Sequence, residues 1–214
     1  MAAAALTGAL GVGAAVAALT ESRRAGWLAG AGTLVLAGAV RWQLQRWFTE
    51  QPAYEVERTI GDLEIRRYPA RLQARTFVEA PFETAIDEGF RRLARYIFGG
   101  NSAHERVAMT TPVSARYAVE GQEVMFTMPP GKHLEDLPRP DDPQIDLVEI
   151  PARRVAVLKF RGRYKAETVE AETRRLRQLV DNAGLVPSGE PMFAGYDPPM
   201  TLPFLRRVEV WLEV

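Results

Sequence analysis

Residues 81–113 read PFETAIDEGFRRLARYIFGGNSAHERVAMTTPV, and the fold turns on how they are read. Pro81 suits the first position of a helix, where its missing N–H costs nothing. Phe82, Ile86, Phe90, Leu93 and Ile97 recur at helical spacing and predict one apolar stripe. Glu83, Asp87, Arg91, Arg92 and Arg95 fall mostly off that stripe. Gly99-Gly100-Asn101 closes the helix, because these residues take the left-handed conformation at least cost. A polar loop over 101–106 follows and carries His104. Val107–Val113 then predicts a buried strand entry, interrupted at Pro112, with Met109 where strand and helix face each other.

Upstream of the helix the period changes to two. Tyr54–Thr59 alternates, Gly61-Asp62 turns the chain, and Leu63–Tyr68 alternates again. Pro69-Ala70 breaks the pattern before a further strand at Leu72–Val78. Downstream, Ala115–Val119 and Val124–Met128 flank a Gly121-Gln122 turn and predict a hairpin. Five prolines between Pro129 and Pro143 forbid regular structure there. The order then repeats: strands at Ile145–Ile150 and Val155–Phe160, a charged amphipathic helix at Lys165–Asn182, and strands at Met192–Tyr196 and Val208–Val214. Strands, helix and strands, twice over, predict a pseudo-duplicated α+β domain: an antiparallel sheet of about eight strands curved toward a barrel, with two helices outside.

The first fifty residues are of another kind. Ala2–Leu19 and Ala25–Val40 carry no charge, and each approaches the roughly 17–25 residues that span a bilayer. Trp27, Trp42 and Trp47 stand where interfacial anchors would, and Gly26-x-x-x-Gly30 would let two helices pack closely. No positive residue precedes the first run, which argues against a cleaved signal peptide. The chain therefore divides into an N-terminal membrane-anchoring hairpin with its linker, 1–50, and a folded domain, 51–214. Arg41 and Arg46 favour a cytoplasmic domain, whereas Arg23 and Arg24 in the turn favour the opposite side.

Composition narrows the chemistry. Lys plus Arg and Asp plus Glu are 27 each, so the net charge is zero and no basic surface for nucleic acid is implied. Cysteine is absent, which removes disulfides, thiolate metal sites and cysteine nucleophiles. HExxH, GxSxG, P-loop and CxxC motifs are all missing, and nothing points to an enzyme. His104 and His133 are the two histidines available for metal or proton chemistry.

Four segments carry a resemblance: Tyr96-Ile97-x-Gly99-x-Asn101, Ala108-Met109-Thr110-x-Pro112-Val113, Gly195-Tyr196-Asp197-Pro198-Pro199-Met200 and Arg206-Arg207-x-Glu209-Val210-Trp211-Leu212. In this order they resemble the SOUL haem-binding family, over roughly Ala53 to Val214. The resemblance implies a distorted eight-stranded barrel flanked by two helices. It also implies a tetrapyrrole held in an apolar groove between the first helix and the GYDPPM loop. The matching positions are Phe90, Ala94 and Arg95 on the helix, with Met200 and Thr201 after the double proline. Arg95, joined by Arg91, would offer cations to propionates; the plain alternative is an exposed helix arginine. Family members can carry lysine where Thr201 stands, so one propionate partner is missing here. His104 is the candidate axial ligand to haem iron, with a solvated loop histidine as the alternative.

The expected function is reversible haem or porphyrin binding by a membrane-tethered domain, as carrier, buffer or sensor. Two other functions fit the same residues. One is a gyrase-inhibitor-like sensor for other amphipathic molecules, and the other a membrane interaction module without a ligand.

Overall fold

A computed structural model of the chain describes residues 51–118, 120–198 and 201–214. The expected membrane hairpin at 1–50 lies outside the described residues. Among those described, nine strands and two α-helices follow one another as β1 (Glu55–Ile60), β2 (Leu63–Tyr68), β3 (Arg71–Val78), α1 (Phe82–Ile97), β4 (Val113–Ala118), β5 (Gly121–Thr127), β6 (Ile145–Ile150), β7 (Arg153–Phe160), α2 (Ala166–Asn182), β8 (Ser188–Gly195) and β9 (Val208–Glu213).

All nine strands join one antiparallel sheet in the order β1-β2-β7-β9-β8-β4-β5-β3-β6. The α+β class and the two flanking helices are as expected, but two details differ. There are nine strands rather than eight, and the sheet stays open, with β1 and β6 as its ends. The expected duplication is visible in the order itself. Exchanging β2–β5 for β6–β9 maps β2-β7-β9-β8-β4-β5-β3-β6 onto itself, because each half lends its first strand to the other: β2 pairs with β7, and β6 with β3.

Alternation along the strands sorts the side chains between two faces. Leu63, Ile65, Ala74, Val124, Phe126, Leu158, Val210 and Leu212 join Leu93 and Ile97 of α1 and Leu176 and Val180 of α2 in one core. Leu93 is wholly enclosed there, so its truncation to alanine would cost about 2–5 kcal/mol. The opposite face gathers Tyr68, Met125, Val155, Val157, Met192, Ala194 and Trp211 into a second, smaller cluster.

Helix α1 follows the expected stripe with one shift. Ala85, Gly89 and Tyr96 are buried alongside Phe82, Leu93 and Ile97, while Ile86 and Phe90 sit at the margin. Gly89 lets α1 approach β5, since a Cβ at this position would lie 2.6 Å from Val124 Cγ2. The two helices meet at their N-terminal ends: the Glu83 carboxylate accepts the Ala166 N–H at 3.1 Å, satisfying one of the free donors of α2.

Between α1 and β4 the chain departs from the expected strand entry. Residues 102–109 are irregular, β4 begins only at Val113, and Met109 is 39 % exposed instead of lying between strand and helix. Thr110 is the residue turned inward there, and its hydroxyl donates to the Thr127 carbonyl. The proline-rich loop is also more ordered than its composition suggests. It carries a turn of 3-10 helix at Leu134–Asp136, buries Leu137, and forms an isolated bridge from Pro140 to Asn101.

Candidate functional site

The outer face of α1 presents Arg91, Ala94, Arg95 and Phe98, spaced i, i+3, i+4 and i+7 and therefore on one side of the helix. Arg91, Arg95 and Phe98 are exposed, Phe98 by 62 %, and Ala94 is half-buried. Neither arginine has a carboxylate partner among the described residues; Arg91 Nε donates only to the Asp87 carbonyl, at 3.1 Å.

The loop that follows is folded back on the helix end by one buried side chain. Asn101 donates from Nδ2 to the carbonyls of Tyr96 (3.0 Å) and Glu105 (2.8 Å), and its Oδ1 accepts the N–H groups of Ala103 (3.3 Å) and Glu105 (3.2 Å). All its hydrogen-bonding capacity is thus spent on the backbone of the helix end and the loop. Tyr96 supports the loop from the other side by donating to the Pro138 carbonyl at 3.0 Å; burial pushes its phenol up to about 12. His104, held at φ +52°, is exposed at the tip, and its carbonyl oxygen lies 3.5 Å from where a Cβ on Gly99 would be. Two side-chain cations and exposed Phe98 thus share the outer face of α1, and an accessible imidazole stands in the loop that follows.

The other expected site residues are placed differently. Phe90 turns toward the core, its ring edge-on to Phe126 at 5.4 Å. Thr201 is buried, its N–H donating to the Pro198 carbonyl and its own carbonyl accepting from Arg206 Nε at 2.7 Å. Met200 lies outside the described residues, as does Pro199 on the loop side of the expected groove. His133 is exposed in the proline-rich loop, apart from α1 in the chain; its N–H donates to the Asp136 carboxylate at 2.8 Å and its carbonyl accepts the Asp136 N–H at 3.0 Å. Among the described residues no three acidic or histidine side chains gather as a metal cluster.

Several motif residues of the C-terminal half serve a different end. On the sheet face opposite α1 and α2 Glu209, wholly enclosed, accepts from Arg66 at 3.0 and 3.1 Å, Arg207 at 2.8 and 3.1 Å, the Tyr196 hydroxyl at 2.9 Å and Trp211 Nε1 at 2.7 Å. Arg66 also lies 4.3 Å above the Tyr54 ring and donates to the Tyr68 hydroxyl, while Arg207 stacks 3.9 Å over Tyr196. Burial alone would push the Glu209 carboxyl up, but the hydrogen bonds and charges of Arg66 and Arg207 outweigh it and hold the group below the usual carboxylate range. Burial, reinforced by the Glu209 charge, pushes the Tyr196 hydroxyl well above its ordinary value. Asp197 accepts the Arg207 N–H at 2.6 Å and so ties the GYDPPM loop to β9. Sequence reading placed Tyr196, Arg207, Glu209 and Trp211 in motifs without assigning them a role; the alternation of β9 was the available signal, since it turns Glu209 and Trp211 to the same face.

The comparisons agree with this architecture. The family model described as SOUL heme-binding protein matches residues 49–213. Heme-binding protein 1 of Bos taurus is 30 % identical over 143 residues, covering 63 % of this chain and 73 % of that protein. Heme-binding protein 2 of Homo sapiens is 29 % identical over 161 residues, covering 71 % and 78 %. Among solved structures, the EcmrR C-terminal domain superposes with a TM-score of 0.54 at 13 % identity, over 75 % of this chain and 96 % of that one, a likeness of fold alone. With a family match spanning most of its length, and with the four motifs building the helix end, the loop and the buried cluster described above, the chain belongs to the SOUL haem-binding protein family.

Proposed function

We propose that the domain binds haem or a related porphyrin reversibly on α1, in a binding role and not a catalytic one. The observation that carries this reading is the outer face of α1. Arg91 and Arg95 stand there without carboxylate partners, beside half-buried Ala94 and exposed Phe98, in a chain of the SOUL family. These residues fit the group: guanidinium groups suit propionates, and an apolar helix end suits a macrocycle face. The His104 imidazole has no hydrogen-bond partner among the described residues, which leaves it able to ligate the iron that bound haem would supply. The two uncharged N-terminal runs support a membrane tether, so the bound pigment would be carried, buffered or sensed at a membrane surface. Among the described residues no helix is long and apolar enough to cross a membrane, so any tether rests on residues 1–50.

Titrating haem and metal-free protoporphyrin into the full-length protein tests this. A saturable Soret shift at micromolar protein is expected for haem, with porphyrin binding of similar strength if apolar contact dominates. Absence of saturable binding by either would overturn the proposal. Release of the protein from membranes by carbonate washing would overturn the tether and leave the binding role standing.

A further inference from the structure

We propose that the cavity between the β2–β3 turn and the loop after β5 binds a small monocarboxylate with an apolar body, its carboxylate held by Arg71 and Lys132. The cavity measures about 310 Å³, the size at which small-ligand pockets begin. Leu72, Met128 and Leu134 supply apolar wall, and Arg71, Lys132 and Glu149 supply the charges.

Arg71 is the reason for expecting an anion. Its Nε and Nη1 are buried without a hydrogen-bond partner, and no carboxylate pairs with it among the described residues. Its guanidinium carbon lies 5.0 Å from the centre of the Tyr68 ring. Arg153 is close and of like sign, and the carboxylate beside Arg153, Glu213, is already paired with it. Burial first, and then Arg153, bring the Arg71 guanidinium down to about 10, which leaves it charged at neutral pH and without a counter-ion. Arg66, on the same sheet face, shows the contrast: it is fully enclosed where Arg71 is half-buried, yet its nitrogens meet Glu209, Glu64 and Tyr68. A half-buried cation left without such partners is costly, and an incoming carboxylate that reaches the guanidinium from the cavity relieves that cost.

The lining also sets the charge of the ligand. Two cations against Glu149 leave one unit of positive charge, which suits a monoanion and disfavours a dianion such as phosphate. None of these residues lies on α1 or in the 101–106 loop, so the site stands independently of the haem reading.

Octanoate is a suitable probe, with octanamide as its neutral counterpart, titrated calorimetrically into the full-length protein. Octanoate is expected to bind saturably with Kd below about 1 mM, and octanamide at least about tenfold more weakly. Arg71→Gln should weaken octanoate at least about tenfold while keeping the melting temperature and the haem titration of the wild type, because it removes an unpaired charge. Lys132→Gln, on the exposed rim, should weaken octanoate by a smaller factor and serves if Arg71→Gln fails to fold. Equal binding of octanoate and octanamide, or no saturable binding of octanoate, would overturn the proposal. So would mutual displacement of octanoate and haem with loss of both in Arg71→Gln, which would make the cavity part of the haem site.

Discussion

Arg66 and Glu209 lie 143 positions apart in the chain and meet as a two-bond pair at 3.0 and 3.1 Å, with neither side chain exposed. The pair spans the sheet from β2 to β9, strands that are not neighbours, since β7 runs between them. Removing one partner strands the other in a place without water. Glu209→Ala is therefore expected to destabilise the fold by about 3–5 kcal/mol, more than the loss of a surface ion pair. Urea unfolding followed by circular dichroism would measure it; a midpoint shift equivalent to less than 1 kcal/mol would show that the cluster contributes little.

The same carboxylate makes a pH prediction. Glu209 is held below its ordinary value of 4.5, so the folded state binds its proton more weakly than the unfolded chain does. Its contribution is present in full above 4.5 and is lost as pH falls below that value toward the folded pKa. Glu209→Gln should flatten the acid limb of a stability-against-pH curve in that window. Parallel acid limbs for the two proteins would contradict this.

Most strands and both helices were legible because their periods are clean. The alternation of Leu63–Tyr68 and the stripe of α1 mark elements that the structure reproduces within a few residues. What could not be read is what depends on long-range closure. No local pattern says that β2 crosses into the second half while β6 crosses into the first, or that the sheet stops short of closing. Met109 was misplaced because an apolar residue beside threonines looks like strand, whereas Asn101 holds the backbone of this loop in a tight turn instead. At the candidate site, Arg95 and His104 were recognisable as exposed, available groups. Phe90 reads equally as lining or as core from its place on the stripe, and its ring meets Phe126 while staying half-buried; Thr201 is buried, with its carbonyl accepting from Arg206.

Gly89→Ala tests the contact of α1 with the sheet. Intrinsic helix preference alone would favour alanine by about 1 kcal/mol. Against this, the new methyl would sit 2.6 Å from Val124 Cγ2 and 2.7 Å from its Cβ, and that valine is fully enclosed. Net destabilisation of about 1–3 kcal/mol is expected, measured by thermal or urea unfolding. A stabilised variant would mean that α1 rides farther from β5 than described.

Three substitutions separate the groups that would contact haem, Arg95 and His104, from Asn101, which positions the loop. Arg95 is exposed and unpaired, so Arg95→Glu should leave stability nearly unchanged while weakening haem and metal-free porphyrin alike, by about 10–100-fold for a lost charge-assisted bond. His104→Ala should change the haem spectrum and leave metal-free porphyrin binding as it was, because only iron uses the imidazole. Asn101→Ala acts through the loop: it removes four side-chain bonds to the backbone of Tyr96, Ala103 and Glu105, of which the one to Tyr96 is buried, at about 1–3 kcal/mol for each group that water cannot reach. It should therefore lower the melting temperature and, at temperatures where the fold persists, reproduce the spectral change of His104→Ala without the affinity loss of Arg95→Glu. Identical haem spectra for the wild type, His104→Ala and Asn101→Ala would show that iron takes no ligand from this loop.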